Sequence, residues 1–188
     1  MASTVGICNR ALQELGEERI TSLTDDTKAA RACSVAYPPL RDAELRRYPW
    51  SFALARVTLS PLVAEPEFQF GYQFQLPADF IRLHPDPEYR AETDWRIEGR
   101  RLLTNDGDTV RLRYIRRVED PNEMDVLFRE ALSTRIAYKL CEELTGSRSL
   151  YEALDRSYDE IIQTAKRVDA IEGVSVEIPE DTWVLARR

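Results

Sequence analysis

Apolar residues recur at helical spacing at both ends of the chain and at alternating spacing in the middle. Val5, Cys8, Leu12 and Leu15 step by three and four, with Ala11 beside them, which predicts a short helix over residues 4–16. Ser3 or Thr4 is its expected N-cap, and Gly16 suits the left-handed position after it. A second helix is expected to open on Thr24, Asp25 and Asp26. Its stripe runs through Ala29, Cys33, Ala36, Tyr37, Leu40 and Leu45, with a kink or a break at Pro38-Pro39 and an end at Pro49. From Trp50 the period changes. Phe68, Phe70, Tyr72, Phe74 and Leu76 alternate with Gln or Gly, which predicts a strand over residues 68–76 with its aromatic face inward. Phe80–Leu83 and Trp95–Ile97 are shorter strand candidates. Residues 101–104 and 109–114, joined by Asn105-Asp106-Gly107-Asp108, are expected to pair as a hairpin. Several of the prolines between 38 and 87 delimit strands, because proline cannot donate to a ladder.

Asp120-Pro121 restarts the helical pattern. A long helix over about 121–145 carries Leu127, Phe128, Ala131, Leu132, Ile136, Ala137, Leu140, Cys141 and Leu144 on a face wide enough for contacts on two sides, and Gly146 stops it. A last helix, Ser149 to about Glu172, is expected to turn Leu150, Ala153, Leu154, Tyr158, Ile161, Ile162, Ala165 and Val168 inward and to end at Gly173. The residues beyond, through Trp183-Val184-Leu185 to Arg187-Arg188, have no helical period. The expected fold is mainly α with a β-rich insertion. A bundle of about four helices (1–49 and 118–173) is interrupted by antiparallel strands (50–117) and followed by an extended docking tail (174–188).

Composition narrows the function. The chain has 188 residues, 33 acids against 26 bases and a net charge of −7, which disfavours a duplex-binding domain. Almost all the bases are Arg, the cation enriched at protein interfaces, although a GC-rich genome favours Arg codons equally. No apolar run approaches the roughly 20 residues of a membrane helix, and the N-terminus lacks signal-peptide form, so folding in a cytoplasm is expected. Cys8, Cys33 and Cys141 lack metal or redox spacing and are expected to be buried, reduced thiols. The single His84, in a proline-rich loop, cannot build a multi-histidine metal site. No nucleophile elbow, phosphate loop, dinucleotide fingerprint or zinc-protease motif occurs. The adjacent acids, such as Glu142-Glu143 and Asp159-Glu160, have the character of solvated helix faces rather than catalytic pairs. Arg111, Arg113, Arg116 and Arg117 form a basic cluster followed at once by acids, and salt bridges or subunit contacts are its expected use. No catalytic residue, metal or cofactor is expected.

Several blocks stand in a collinear series. Val5-x-Ile-Cys-Asn-Arg-Ala-Leu-x-x-Leu-Gly-Glu opens it, followed by Ala29-Ala-Arg-Ala-Cys and Arg41-Asp-x-x-Leu-Arg-x-x-Pro-Trp-Ser-Phe-Ala. Then come Tyr72-x-Phe-x-Leu-Pro-Ala-Asp-Phe-Ile-Arg-Leu, Trp95-Arg-Ile-Glu-Gly-Arg-Arg-Leu-Leu-Thr and Leu112-Arg-Tyr-Ile-x-Arg-Val-x-Asp-Pro, ahead of the Phe128–Gly146 helix. The series resembles the tail tubular protein A family of podoviruses and the related head-to-tail adaptors of prophages and gene transfer agents. The resemblance spans most of residues 5–172 and rests on core and cap residues rather than on one diagnostic motif. It implies a structural protein of the virion tail, assembled in the host bacterial cytoplasm as a ring of about twelve copies. Such a ring binds the portal protein on one side and the nozzle, tail tubular protein B, on the other. Genomic DNA passes transiently through its lumen and no membrane is involved. The resemblance also gives the C-terminal tail a docking role. Within that tail, Trp183, Val184, Leu185, Arg187 and Arg188 have the character of an interface anchor to the portal or a neighbouring subunit. Two other classes compete: a tail-associated cell-wall hydrolase with an unrecognised carboxylate site, and an acidic prophage-derived regulatory or packaging protein.

Overall fold

The computed structural model describes residues 1–84, 94–105, 107 and 109–172. Four helices and six strands follow in the order ααββββββαα: α1 (Thr4–Leu15), α2 (Lys28–Arg47), β1 (Leu54–Leu59), β2 (Tyr72–Gln75), β3 (Phe80–Leu83), β4 (Trp95–Glu98), β5 (Arg101–Thr104), β6 (Val110–Arg116), α3 (Val126–Thr145) and α4 (Arg148–Glu172). The fold is thus helical with an antiparallel β insertion between the second and third helices.

Local chemistry sets most helix ends. The Ser3 hydroxyl accepts from the Gly6 N–H at 3.0 Å, and Gly16 closes α1 at φ +72°. The second helix opens later than its acidic residues suggest. The Thr27 hydroxyl is the cap, accepting from Ala30 N at 3.1 Å. Asp25 instead ties the preceding loop, accepting from Thr21 N at 2.7 Å and Ser22 N at 3.0 Å. These backbone bonds, from Ser22 and then Thr21, hold its carboxyl below the usual carboxylate range. Nor does α2 break at Pro38-Pro39: it is one helix of 20 residues. Both prolines are exposed, and so are Ser34 and Val35, whose carbonyls lose an intrahelical donor. Those carbonyls are open to solvent, so the rings leave no polar group stranded on the buried side. α3 likewise starts at Val126, capped by Asp125 on the N–H groups of Leu127 and Phe128, while Asp120-Pro121 forms a separate turn before it.

α3 is the centre of the bundle and packs against α1, α2 and α4. Its buried Phe128, Leu132, Ile136 and Leu140 share a core with Leu12, Cys33, Leu45, Leu154 and Ile162. Trp50, ahead of β1, also belongs to this core. It meets Phe128 edge-on at 5.1 Å between centroids and donates its indole N–H to the Glu44 carbonyl at 3.0 Å.

The strands form two three-stranded sheets, ordered β1-β6-β3 and β2-β5-β4, all pairs antiparallel. Their facing sides share a second core of Phe74, Leu76, Leu102, Leu112 and Tyr114. This pairing corrects the expected hairpin: β5 and β6 lie in different sheets. The hairpin that forms is β4–β5, with Glu98 opposite Arg101 and Gly99-Arg100 as the two-residue turn. Gly99 has φ +58°, as a type II′ turn needs at its first central position. The alternating run over 68–76 is extended only across Tyr72–Gln75, because Gln69 turns to φ +72°. Gln73 is buried rather than solvated. Residues 62–64 cross its face, where Leu62 N donates to its carbonyl at 2.8 Å and its amide donates to the Ala64 carbonyl at 2.7 Å.

Three polar contacts fasten the sheets to the bundle. Arg46 of α2 donates to the Ile81 carbonyl at 2.6 Å, Arg117 pairs with Asp42 at 2.8 Å, and Ser51 donates through N and Oγ to Asp169 of α4 at 2.9 and 2.7 Å.

Candidate functional site

The basic cluster read from the sequence divides in two. Arg116 pairs with Glu123 at 2.7 Å and Arg117 with Asp42 at 2.8 Å, so both serve the subunit itself. Arg111 and Arg113 lie one strand step apart on β6, on the side of the first sheet away from the shared β core. Arg113 stands opposite Arg56 of β1, Arg111 opposite Thr58, and Arg82 of β3 opposite Ile115, all on that side. The first sheet therefore presents a basic outer face. Trp183, Val184, Leu185, Arg187 and Arg188 lie outside the described residues.

At one edge of this sheet, beside the β4–β5 turn, is an open cleft of about 440 Å³. Leu76, Phe80, Leu83 and Ile97 give it apolar walls, its cations are Arg46, Arg82 and Arg100, and no acid lines it among the described residues. Each arginine comes from a different element. Arg46 lies in the last turn of α2 and is oriented by its bond to the Ile81 carbonyl. Arg82 sits on β3, and Arg100 follows Gly99 in the turn and donates to the Pro77 carbonyl. Burial, and then the nearby charge of Arg46, push the Arg82 guanidinium below its usual range. Its Nε is buried without a hydrogen-bond partner among the described residues. The sequence gives no warning of this arrangement, since positions 46, 82 and 100 belong to three separate blocks.

The buried acids take structural roles. Glu44 is shut into the bundle, where it accepts from the Tyr158 hydroxyl at 2.7 Å and pairs with Arg47 at 3.5 Å and with Arg135. It joins α2, α3 and α4 and lines no cleft. Glu14 is the nearest approach to a catalytic carboxyl. Desolvation raises its pKa, and Glu130 lies close enough to add a small further rise. Arg10 spans the two at 3.8 Å from each, on helix surfaces remote from the cleft lining. Cys8 and Cys33 are buried and hydrogen-bond to each other. That bond, with burial, holds the Cys8 thiol far above its ordinary value, which makes it a poor nucleophile. His84, half-buried, donates its backbone N–H to the Arg113 carbonyl at 3.0 Å. Among the described residues no group of three or more metal-binding side chains occurs, and no helix is long and apolar enough to cross a membrane. Guanidinium groups beside apolar walls are suited to holding a carboxylate or another anion. No protein-family model matches the chain, and no curated protein matches its sequence.

Proposed function

We propose that this chain is a structural head-to-tail adaptor of a short-tailed phage, prophage or gene-transfer particle. About twelve copies form a ring between the portal protein and the tail nozzle, and DNA crosses the lumen without lasting contact. The chain acts without catalysis or cofactor. The observation that carries this reading is the agreement between two features. One is the collinear series of blocks from Val5 to Gly146; the other is a four-helix bundle interrupted between its second and third helices by paired β sheets. The resemblance implies that architecture, and the polar fastenings at Arg46, Asp42 and Asp169 suit a subunit that transmits position from one neighbour to the next.

The C-terminal segment supplies the docking arm in this reading. Trp183 and Leu185 enter an apolar pocket of the portal or of the next subunit, and Arg187 and Arg188 pair with its acids. Electron microscopy of the chain mixed with its cognate portal tests the assembly: a closed ring on the portal is expected. A chain that stays monomeric and never joins the portal sinks the proposal. Deletion of residues 179–188 and Trp183→Ala test the arm. Both variants should keep the helical circular dichroism of the parent and lose portal attachment.

A further inference from the structure

Cys8 of α1 and Cys33 of α2 are both 0% exposed in the bundle core, and their side chains hydrogen-bond to each other. Small side chains flank them on the buried helix faces, Ala11 beside Cys8 and Ala29, Ala30 and Ala32 near Cys33. The pair is polarised. Cys8 donates to the Cys33 sulfur, which holds the Cys33 thiol below its ordinary value, while the proton of Cys8 is firmly kept. One thiol is thus the readier nucleophile, and the other is already in contact with it. Cys141 is equally buried but engaged elsewhere: its sulfur meets the Thr145 hydroxyl at 3.4 Å and the Ser147 carbonyl at 3.5 Å.

A core of this kind admits an oxidant only if it is small. Hydrogen peroxide, close to water in size, enters through the local openings that also let buried amides exchange. We propose that Cys8 and Cys33 form a peroxide-sensitive dithiol, which hydrogen peroxide converts into a disulfide that staples α1 to α2. In the first step the Cys33 sulfur attacks one peroxide oxygen. The O–O bond breaks, Cys33 becomes a sulfenic acid, and the other oxygen leaves as water with the proton that Cys33 carried. In the second step the Cys8 sulfur attacks Cys33 Sγ. The S–S bond forms, the S–O bond breaks, and hydroxide departs with the Cys8 proton as a second water. Two electrons pass from the thiols to the peroxide, and no further reactant is needed. Because the resolving thiol is in place beforehand, the sulfenic acid is consumed before an outside thiol reaches it. The new bond closes the chain between positions 8 and 33 and so restricts the unfolded state. It belongs to the single subunit and stands or falls apart from ring formation on a portal.

Folded full-length protein treated with hydrogen peroxide tests the dithiol. After the reaction is quenched, remaining thiols are alkylated in denaturant and the chain is cut with trypsin without reductant. Cleavage after Arg10, Arg31 and Arg41 puts Cys8 in residues 1–10 and Cys33 in residues 32–41. Mass spectrometry should find these two peptides joined and Cys141 alkylated. A link to Cys141, a covalent dimer, sulfinic or sulfonic acid at Cys33, or free thiols at a dose that fully oxidises free cysteine overturns the proposal. The same treatment in urea separates native contact from chance collision. A yield of the Cys8–Cys33 link no higher in folded than in unfolded protein also overturns it. The linked protein should melt about 5–15 °C above the reduced one, and dithiothreitol should reverse the shift. An unchanged or lower melting temperature would show that the bond does not fit the native helices, and the staple fails.

Discussion

Replacing Glu44 by alanine would leave the largely buried Arg135 and the half-exposed Arg47 beside Tyr158 without the buried carboxylate they share. Removing one partner of a buried ion cluster strands the others, so a loss of about 3–5 kcal/mol is expected in urea unfolding. Tyr158→Phe removes one hydrogen bond and keeps the ring, and should cost about 1 kcal/mol. Equal effects from the two changes would mean that the charge is unimportant. A second residue reports on the β core. Burial pushes the Tyr114 hydroxyl up to about 12, and its bond to Asp79 at 3.1 Å and the charge of Asp79 add to that. An unfolded tyrosine titrates near ~10, so the folded form keeps its proton to higher pH. The stabilisation is complete below pH ~10 and is lost as pH rises through about 12. The urea midpoint should fall across that window, and fall less in Tyr114→Phe; an identical alkaline decline in both proteins excludes Tyr114 as its source.

At the level of elements, legibility followed how local each signal was. Ser3 and Gly16 bound α1 where the sequence places them, because a cap acts on residues at most a few positions away. The sequence points to Thr24, Asp25 and Asp26 as the opening of α2 and misses Thr27, because Asp25 is taken up by the loop, on Thr21 and Ser22, and the cap falls one residue beyond the acids. The Asp-Gly signal before β6 misled for a different reason. It marks a reversal but does not name the partner strand, and β6 finds its neighbours in β1 and β3 across the sandwich. The arginine cleft was illegible altogether, since its parts meet only once α2, β3 and the β4–β5 turn are in place. The paired prolines give an element-scale prediction. Pro is about 3 kcal/mol worse than Ala in a helix interior, partly offset by a stiffer unfolded chain. Pro38→Ala and Pro39→Ala should each stabilise the protein by about 1–2 kcal/mol, seen as a higher melting temperature. A lower one would mean the rings make contacts that their exposure does not suggest. Gly99→Ala, by contrast, should cost about 1 kcal/mol, because a Cβ is strained at that left-handed φ.

For the whole molecule, charge is unevenly spread: the chain carries −7, yet the first sheet turns Arg56, Arg82, Arg111 and Arg113 to one side. Bulk acidity is expected to govern encounters with DNA, since near 0.15 M salt a charge is screened beyond about 8 Å and four arginines release few counterions. Duplex DNA should show no tight binding to the isolated protein at that ionic strength in fluorescence anisotropy. Micromolar or stronger binding that weakens steeply with salt would move the basic face from protein contacts to nucleic acid.

The position of the β insertion has a consequence for synthesis on the ribosome. α1 is covered chiefly by α3, and the two β sheets come between them in the chain. Translation at about 5–20 residues per second leaves roughly 7–26 s between completion of α1 and completion of α3. Through that interval Ile7, Leu12 and Leu15 have no permanent cover, while the sandwich can already close on its own core. The nascent chain is therefore a folded middle carrying an unfinished beginning. Aggregation during expression should originate at α1 and α2, where a slower approach of α3 is felt first.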